Sequence, residues 1–298
     1  MSCELIKGND IAAELYGEIK ARIAALKKQG RSLCLAFVLL GNDPASEVYV
    51  RMKDKKCAEL GIASTTFRLP YDTTEEQLLL KIDELNRDRN IQGILVQLPL
   101  PKHIDEDKII IAIDPMKDVD CFHPQNVGLM LTGHPIFLPA TPAGIQQMLI
   151  RSKIETAGKH VVIVGRSNIV GKPLAAMLMQ RGDGADSTVT VVHSMTKRLK
   201  EITIQADILV AAVGKPRFIT VDMVKDGAVV IDVGTNEVAD PMAPKGKKLV
   251  GDVDTAEVME KASMITPVPG GVGPMTICML MYNAVTAAEQ AFKNQAQK

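Results

Sequence analysis

Tyr49 and Lys53 stand four apart in a stretch patterned as a helix, so they share one face, one turn from each other. A phenol there can hold a nearby ammonium in place. A lysine exchanges protons near neutral pH only when burial or other cations lower its pKa, and Lys55 and Lys56 are close by in sequence. The competing reading is an ordinary surface lysine. Gln97 lies in the apolar run Gly93-Ile94-Leu95-Val96-Gln97-Leu98, just before Pro99. A polar group in such a strand needs a partner, and the carboxyl ends of strands in open α/β sheets are where ligands bind. Asp118 and Asp120 add carboxylates from Pro115-Met116-Lys117-Asp118-Val119-Asp120. Either could grip an amino-heterocycle through paired N–H bonds, or sit solvated on a loop.

A second set has the chemistry of phosphate binding. The apolar strand Val161-Val162-Ile163-Val164 runs into Gly165-Arg166-Ser167-Asn168-Ile169-Val170-Gly171, a glycine-bounded turn opening a helix. Backbone N–H groups and a helix N-terminus can hold a pyrophosphate there. Ser167 takes the place of the middle glycine of G-x-G-x-x-G and the last glycine comes one residue late, so the turn alone also fits a plain strand-to-helix connection. The next strand, Val189-Thr190-Val191-Val192, ends in His193-Ser194 with no carboxylate to repel an extra phosphate. Arg166 and the Ser194 hydroxyl offer that phosphate hydrogen bonds, which favours NADP over NAD. Otherwise Ser194 caps the following helix. Finally, Thr266-Pro267-Val268-Pro269-Gly270-Gly271-Val272-Gly273-Pro274-Met275-Thr276 precedes a helix with three prolines and three glycines. Proline fixes its path, and glycine lets backbone approach a flat ligand.

The elements that must position these residues alternate. Apolar spacing predicts helices over 10–28, with Asp10 as N-cap, and over 45–60, 74–86 and 105–112; strands fall at 33–40, 64–69 and 93–98. A breaker-rich stretch, 114–142, reads as irregular and as a boundary. A second series follows: helix near 143, strand 160–164, helix 171–181, strand 188–192, helix 196–204, strands 207–212 and 228–233, and a last helix over 276–292. This gives an α/β fold of two doubly wound domains, the second Rossmann-type, with the C-terminal helix packing back on the first. The division expected is 1–142 plus 275–298, and 143–274.

The bulk composition narrows the function. The 298 residues carry 35 basic and 35 acidic side chains, so no overall field draws the chain to nucleic acid or an anionic membrane. The basic runs Lys53-Asp54-Lys55-Lys56 and Lys245-Gly246-Lys247-Lys248 read as solvated faces, with Lys53 the exception argued above. Five cysteines form no C-x-x-C pair and no zinc spacing, and read as reduced thiols. No signal-like or membrane-spanning run is visible, so a cytoplasmic enzyme acting on small molecules is expected.

Together, YVRMK at 49–53, GILVQLPLP at 93–101, PMKDVD at 115–120, VGRSNIVGKP at 164–173 and TPVPGGVGPMT at 266–276 resemble the bifunctional methylenetetrahydrofolate dehydrogenase/cyclohydrolases, in order and along nearly the whole chain. The resemblance implies a folate-binding catalytic domain completed by the C-terminal helix, an NADP domain, a folate cleft where they meet, and a homodimer. It implies Lys53 as catalytic lysine with Tyr49 and Gln97, and Leu98 beside them at the substrate. Asp120 would bind the pterin, with Pro269, Gly270 and Gly273 on the folate. Gly165, Arg166, Ser167, Ile169, Ser194 and Thr235 would contact NADP. Cys121 stands where the family commonly has glycine. A small hydroxy-acid dehydrogenase or a dinucleotide sensor is the rival reading.

Overall fold

The computed structural model describes residues 3–242 and 246–296, so Lys245 of the second basic run and the outermost terminal residues lie outside the described ones. Two compact units form. Residues 15–138 with 277–296 make the Lys53 unit, and 3–14 with 139–276 make the Gly165 unit. The first residues thus pack with the second sheet, although the sequence division assigns them to the domain of residues 15–138. The reason is strand β1 (Glu4–Leu5), which pairs in parallel with Met264–Ile265 and is too short to show any periodicity.

Helix α1 (Gly8–Lys28) buries Ile11, Leu15, Ile19, Ile23 and Leu26 on one stripe, with Asp10 in its first turn rather than at its cap. In the Lys53 unit β2 (Cys34–Leu40), α2 (Pro44–Leu60), β3 (Ala63–Leu69), α3 (Glu75–Arg87) and β4 (Gly93–Val96) build a parallel sheet of order β3-β2-β4. The central strand is covered on both sides, which is why its sequence is continuously apolar. Asp43 caps α2 by accepting from the Ser46 N–H, and Gly61, at φ 70°, ends it. Leu78, Ile82 and Leu85 of α3 bury against Val38, Ile94 and Ile109. Each contributes about 1.5–3 kcal/mol of transfer free energy.

Two more helices follow, α4 (Glu106–Ala112) and α5 (Pro124–Leu131). The second falls inside the stretch read as irregular. His123 Nδ1 accepts from the Gln125 N–H and Pro124 occupies the first turn, where no N–H is needed, so this breaker starts a helix.

The Gly165 unit contains α6 (Ala140–Arg151), β5 (His160–Val164), α7 (Gly171–Leu178), β6 (Thr188–Val192), α8 (Leu199–Thr203), β7 (Ile208–Ala211) and β8 (Val229–Asp232). An antiparallel ribbon, β9 (Asn236–Ala239) and β10 (Lys247–Val250), then α9 (Thr255–Val258) and β11 (Met264–Ile265) follow. Its parallel sheet runs β1-β11-β8-β7-β5-β6. From β5 the chain winds first to β6 on one side and later to β7 on the other, which makes the carboxyl end of β5 the switch point where such sheets bind ligands. Helix α10 (Val272–Ala296) starts four residues before the expected 276, because Gly273 and Pro274 lie in its first turn. Further along, Asn283 Nδ2 donates to Val119 O and Leu138 O, both at 2.8 Å, fastening the helix within the Lys53 unit. Among the described residues no helix is long and apolar enough to cross a membrane.

Candidate active site

Lys53 lies in the third turn of α2 and is only 9% exposed. Its Nζ donates to Gln97 Oε1 at 3.1 Å, while Gln97 Nε2 donates to Leu98 O at 2.7 Å. Gln97 follows β4 rather than ending it, yet its N–H still continues the ladder to Val38 O, so the side chain is aimed by the sheet. Burial lowers the Lys53 pKa, and Asp120 opposes that by favouring the ammonium. The neighbouring lysines are not the cause that the sequence offered. Lys55 points to solvent near Glu59, and Lys56 pairs with Glu59 and lies over the Tyr16 ring at 4.5 Å. Tyr49, one turn before Lys53, is 41% exposed.

The loop carrying Asp120 is built from its neighbours. Lys117 Nζ donates to the carbonyls of Leu85, Asn86 and Asp88, latching the loop onto the end of α3. Asp118 is buried and accepts from the N–H groups of Phe122 and His123 and from Asn126 Nδ2. Its carboxylate is thereby committed to the loop, and Asp120 is the one that keeps some exposure. Surrounding protein pushes Asp120 up to about 6, with Lys53 pulling it down and Asp118 adding to the rise. Beside it lies an apolar recess lined by Leu98, Ile109, Phe122 and Asp118. Cys121 takes φ 61°, the left-handed conformation that glycine would adopt, and its Sγ donates to Phe137 O at 3.3 Å. The backbone path expected of a glycine is kept.

In the Gly165 unit, the turn after β5 fits a pyrophosphate cradle. Gly165 has φ 137°, and a Cβ there would stand 2.2 Å from Ala212 O; one on Gly171 would stand 2.2 Å from Gly165 O. The Ser167 hydroxyl accepts from Val170 N–H at 3.1 Å, shaping the turn into α7. Arg166, Ser167 and Ile169 are exposed. Ser194, also exposed, caps no helix. Instead the His193 N–H donates to Thr196 Oγ1 and His193 Nδ1 accepts from the Met195 N–H, a tight turn ahead of α8. Thr235 is exposed on the loop between β8 and β9. No carboxylate follows β6.

The proline-glycine stretch belongs to this same unit, where Gly270, at φ 101°, accepts the Asn9 N–H. Gly8 makes room for it, since a Cβ there would meet Gly271 O at 1.9 Å. The sequence reading placed Asn283 on a face of the last helix without giving it a role, and gave none to Asp232 or Asp252. Only Asn283 gave a signal, as an amide on an otherwise apolar helix face.

A switch-point sheet with a glycine cradle, and a separate sheet presenting a buried lysine held by a glutamine, fit a dinucleotide-using enzyme built of two α/β units. Residues 6–120 match the catalytic domain, and residues 139–292 the NAD(P)-binding domain, of tetrahydrofolate dehydrogenase/cyclohydrolase. The chain belongs to this family of bifunctional dehydrogenase and cyclohydrolase enzymes. It is 58% identical over 293 residues to the bifunctional protein FolD of Dehalococcoides mccartyi strain CBDB1, covering 98% of each chain. The FolD crystal structure from Campylobacter jejuni, a methylenetetrahydrofolate dehydrogenase/cyclohydrolase, superposes with TM-score 0.91 at 46% identity, covering 97% of this chain and 99% of that one. The Trypanosoma brucei enzyme, complexed with NADP and an inhibitor, gives 0.92 at 38% identity, covering 98% and 99%. These matches set aside the hydroxy-acid dehydrogenase and the sensor.

Proposed function

We propose that this enzyme oxidises 5,10-methylenetetrahydrofolate with NADP and hydrolyses the 5,10-methenyl product to 10-formyltetrahydrofolate, with Lys53 handling protons in the hydrolysis. The observation that carries the reading is a buried lysine held by Gln97, its pKa lowered by burial, with Asp120 in electrostatic reach. Bound NADP supplies a hydride acceptor for the methylene carbon, leaving a methenyl cation conjugated with both ring nitrogens. As a neutral amine, Lys53 accepts a proton from the water that attacks this carbon. Its ammonium returns one to the ring nitrogen freed as the C–N bond opens, while the carbinol hydroxyl releases its own proton to solvent to form the formyl group, so hydrolysis of the cation liberates one proton net. A positioned acid–base group of this kind contributes roughly 10²–10⁴-fold.

Gln97 orients Nζ, Tyr49 and Leu98 flank it, Asp120 accepts N–H bonds from the pterin, and Pro269, Gly270 and Gly273 meet the folate. Gly165, Arg166, Ser167, Ile169, Ser194 and Thr235 hold NADP. Support for NADP over NAD comes from the exposed Arg166 and Ser194 and from the lack of a carboxylate after β6. We take the acting form to be a homodimer, as in the family resemblance; a single-chain mass by light scattering would overturn that.

The test follows absorbance as the protein meets methylenetetrahydrofolate with NADP, and then methenyltetrahydrofolate alone. Wild type should reduce NADP and accelerate methenyl loss. Lys53→Gln should lose the second activity and still bind NADP. Unchanged hydrolysis in that variant removes Lys53 from the mechanism, and a wild type that reduces no NADP removes the assigned reaction.

A further inference from the structure

Two buried carboxylates of the Gly165 unit have no part in the reaction above. Asp232, the last residue of β8, is 1% exposed and accepts from the N–H groups of Gly234 at 2.9 Å, Asp252 at 2.8 Å and Val253 at 3.0 Å. Asp252 is 0% exposed. Its Oδ2 accepts from Val213 N–H at 2.6 Å and Gly214 N–H at 2.9 Å; its Oδ1 accepts from Lys215 N–H and Asn236 Nδ2, both at 2.9 Å. Glycines keep the space for both. A Cβ on Gly251 would stand 1.7 Å from Asp232 Oδ2, and one on Gly234 would stand 2.3 Å from Asp252 Oδ1.

Taking a carboxylate so fully out of water is costly, and its return is the number of donors one group can gather. What Asp252 gathers are the loops at the carboxyl ends of β7 and β8. The loop after β7 begins at Ala212, the residue whose carbonyl abuts Gly165. In the loop after β8, Thr235 stands between two anchored residues, Gly234 and Asn236. If the Gly165 turn at the end of β5 takes the pyrophosphate, and Ser194 at the end of β6 the extra phosphate, the loops after β7 and β8 face the nicotinamide half.

We propose that Asp252, supported by Asp232, is a positioning residue for hydride transfer alone: it fixes the nicotinamide-side wall of the nucleotide crevice and takes no part in methenyl hydrolysis. The inference rests on the reading that this crevice takes NADP. Its consequence is that the two activities of one chain separate at Asp252. A displacement of about 1 Å between reacting groups can cost 10²-fold in rate.

The experiment compares full-length wild type, Asp252→Asn, Asn236→Ala and Arg166→Ala. It measures kcat and KM for NADP in the dehydrogenase assay, the isotope effect with a deuterated folate methylene, methenyl hydrolysis, and thermal melting. Asp252→Asn is expected to lose about 10–100-fold in dehydrogenase kcat/KM with an enlarged isotope effect, while hydrolysis stays at the wild-type rate. Asn236→Ala, which removes one donor, should show a smaller loss of the same kind. Wild-type dehydrogenase activity in a variant that melts like wild type overturns the proposal, as does an equal fractional loss of both activities. If Asp252→Asn melts early, Asn236→Ala decides by the same criteria. Arg166→Ala reports on the crevice itself, and an unmoved KM for NADP there counts against the nucleotide reading rather than against Asp252.

Discussion

Lys53 and Asp252 are both buried ionisable groups, and they are held in opposite ways. Lys53 donates to the side-chain amide of Gln97, and burial shifts its pKa downward. Asp252 accepts from three backbone N–H groups and an asparagine that β9 holds. A group that must take and release a proton needs its two protonation states close in free energy, which burial with sparse hydrogen bonding brings about. A group that must hold loops in register needs donors that converge on it, and backbone N–H groups do that with little conformational freedom to lose. On the proposed function, burial serves proton exchange in one unit, while in the other it serves loop geometry. After the loss of hydrolysis expected for Lys53→Gln, the largest effect should come from crowding the Asp232–Asp252 pair. Gly251→Ala places a Cβ on Asp232 Oδ2, so the carboxylate or the backbone must move and some of its N–H partners must be left unpaired. At about 1–3 kcal/mol for each buried group left without a partner, a loss of roughly 3 kcal/mol in unfolding free energy is expected. Denaturant titration reads it, and a wild-type midpoint would show that the pair holds nothing.

That pair was invisible in the sequence for a physical reason. Asp232 and Asp252 lie 20 positions apart and meet only because the β9–β10 ribbon folds the chain back between them. Nothing local in Val-Val-Ile-Asp or Gly-Asp-Val-Asp distinguishes a buried acceptor from a solvated turn. The Lys53 cluster was far more legible, since helical spacing, a glutamine in an apolar run and a carboxylate-bearing loop each signal themselves within a few residues. Even there, the cause of the lysine's shift was misread. Sequence proximity pointed to Lys55 and Lys56, whereas the helix turns them toward Glu59 and solvent. The sheet of the Gly165 unit was legible through its buried strands, while β1, β11 and the ribbon were too short or too polar to register. Breakers misled where they served as helix starts, at Pro124 and at Gly273-Pro274.

Removing a charge that is exposed rather than buried acts on cofactor binding instead. Arg166→Ala should weaken NADP by roughly 10–100-fold, the range for charge-assisted hydrogen bonds, and NAD far less, because only NADP carries the extra phosphate. Titration of both cofactors checks this, and equal losses would refute the assignment. Methenyl hydrolysis should be unaffected.

Burying Lys53 also acts on stability. Its folded pKa is lowered below the free value of 10.5, so the fold disfavours the ammonium relative to the unfolded chain. For a cation shifted this way, the contribution is most favourable above pH 10.5 and is lost as pH falls through the folded pKa. Lys53→Met should therefore melt a few degrees above wild type at pH 7 while being inactive in hydrolysis, and the gap should narrow as pH rises toward 10.5. A variant that melts lower than wild type at pH 7 would mean that Gln97 and Asp120 outweigh the burial of the charge.

The smallest effect tests Cys121, which stands where the family resemblance implies glycine. Cys121 bears a left-handed backbone conformation that costs an L-residue about 1–2 kcal/mol relative to glycine. Against that stand its buried side chain, the Sγ contact with Phe137 O, and the lower entropy of an unfolded chain without an added glycine, worth about 0.4–1 kcal/mol. These terms nearly offset each other, so Cys121→Gly should change the melting temperature little. Cys121→Ala keeps the backbone cost and loses the sulfur, so it should be the least stable of the three, by about 1 kcal/mol. The order of the three melting temperatures is the measurement. If the alanine variant is the most stable, the thiol strains the Asp120 loop; if glycine is well above both, the conformational cost dominates and the Phe137 contact is incidental.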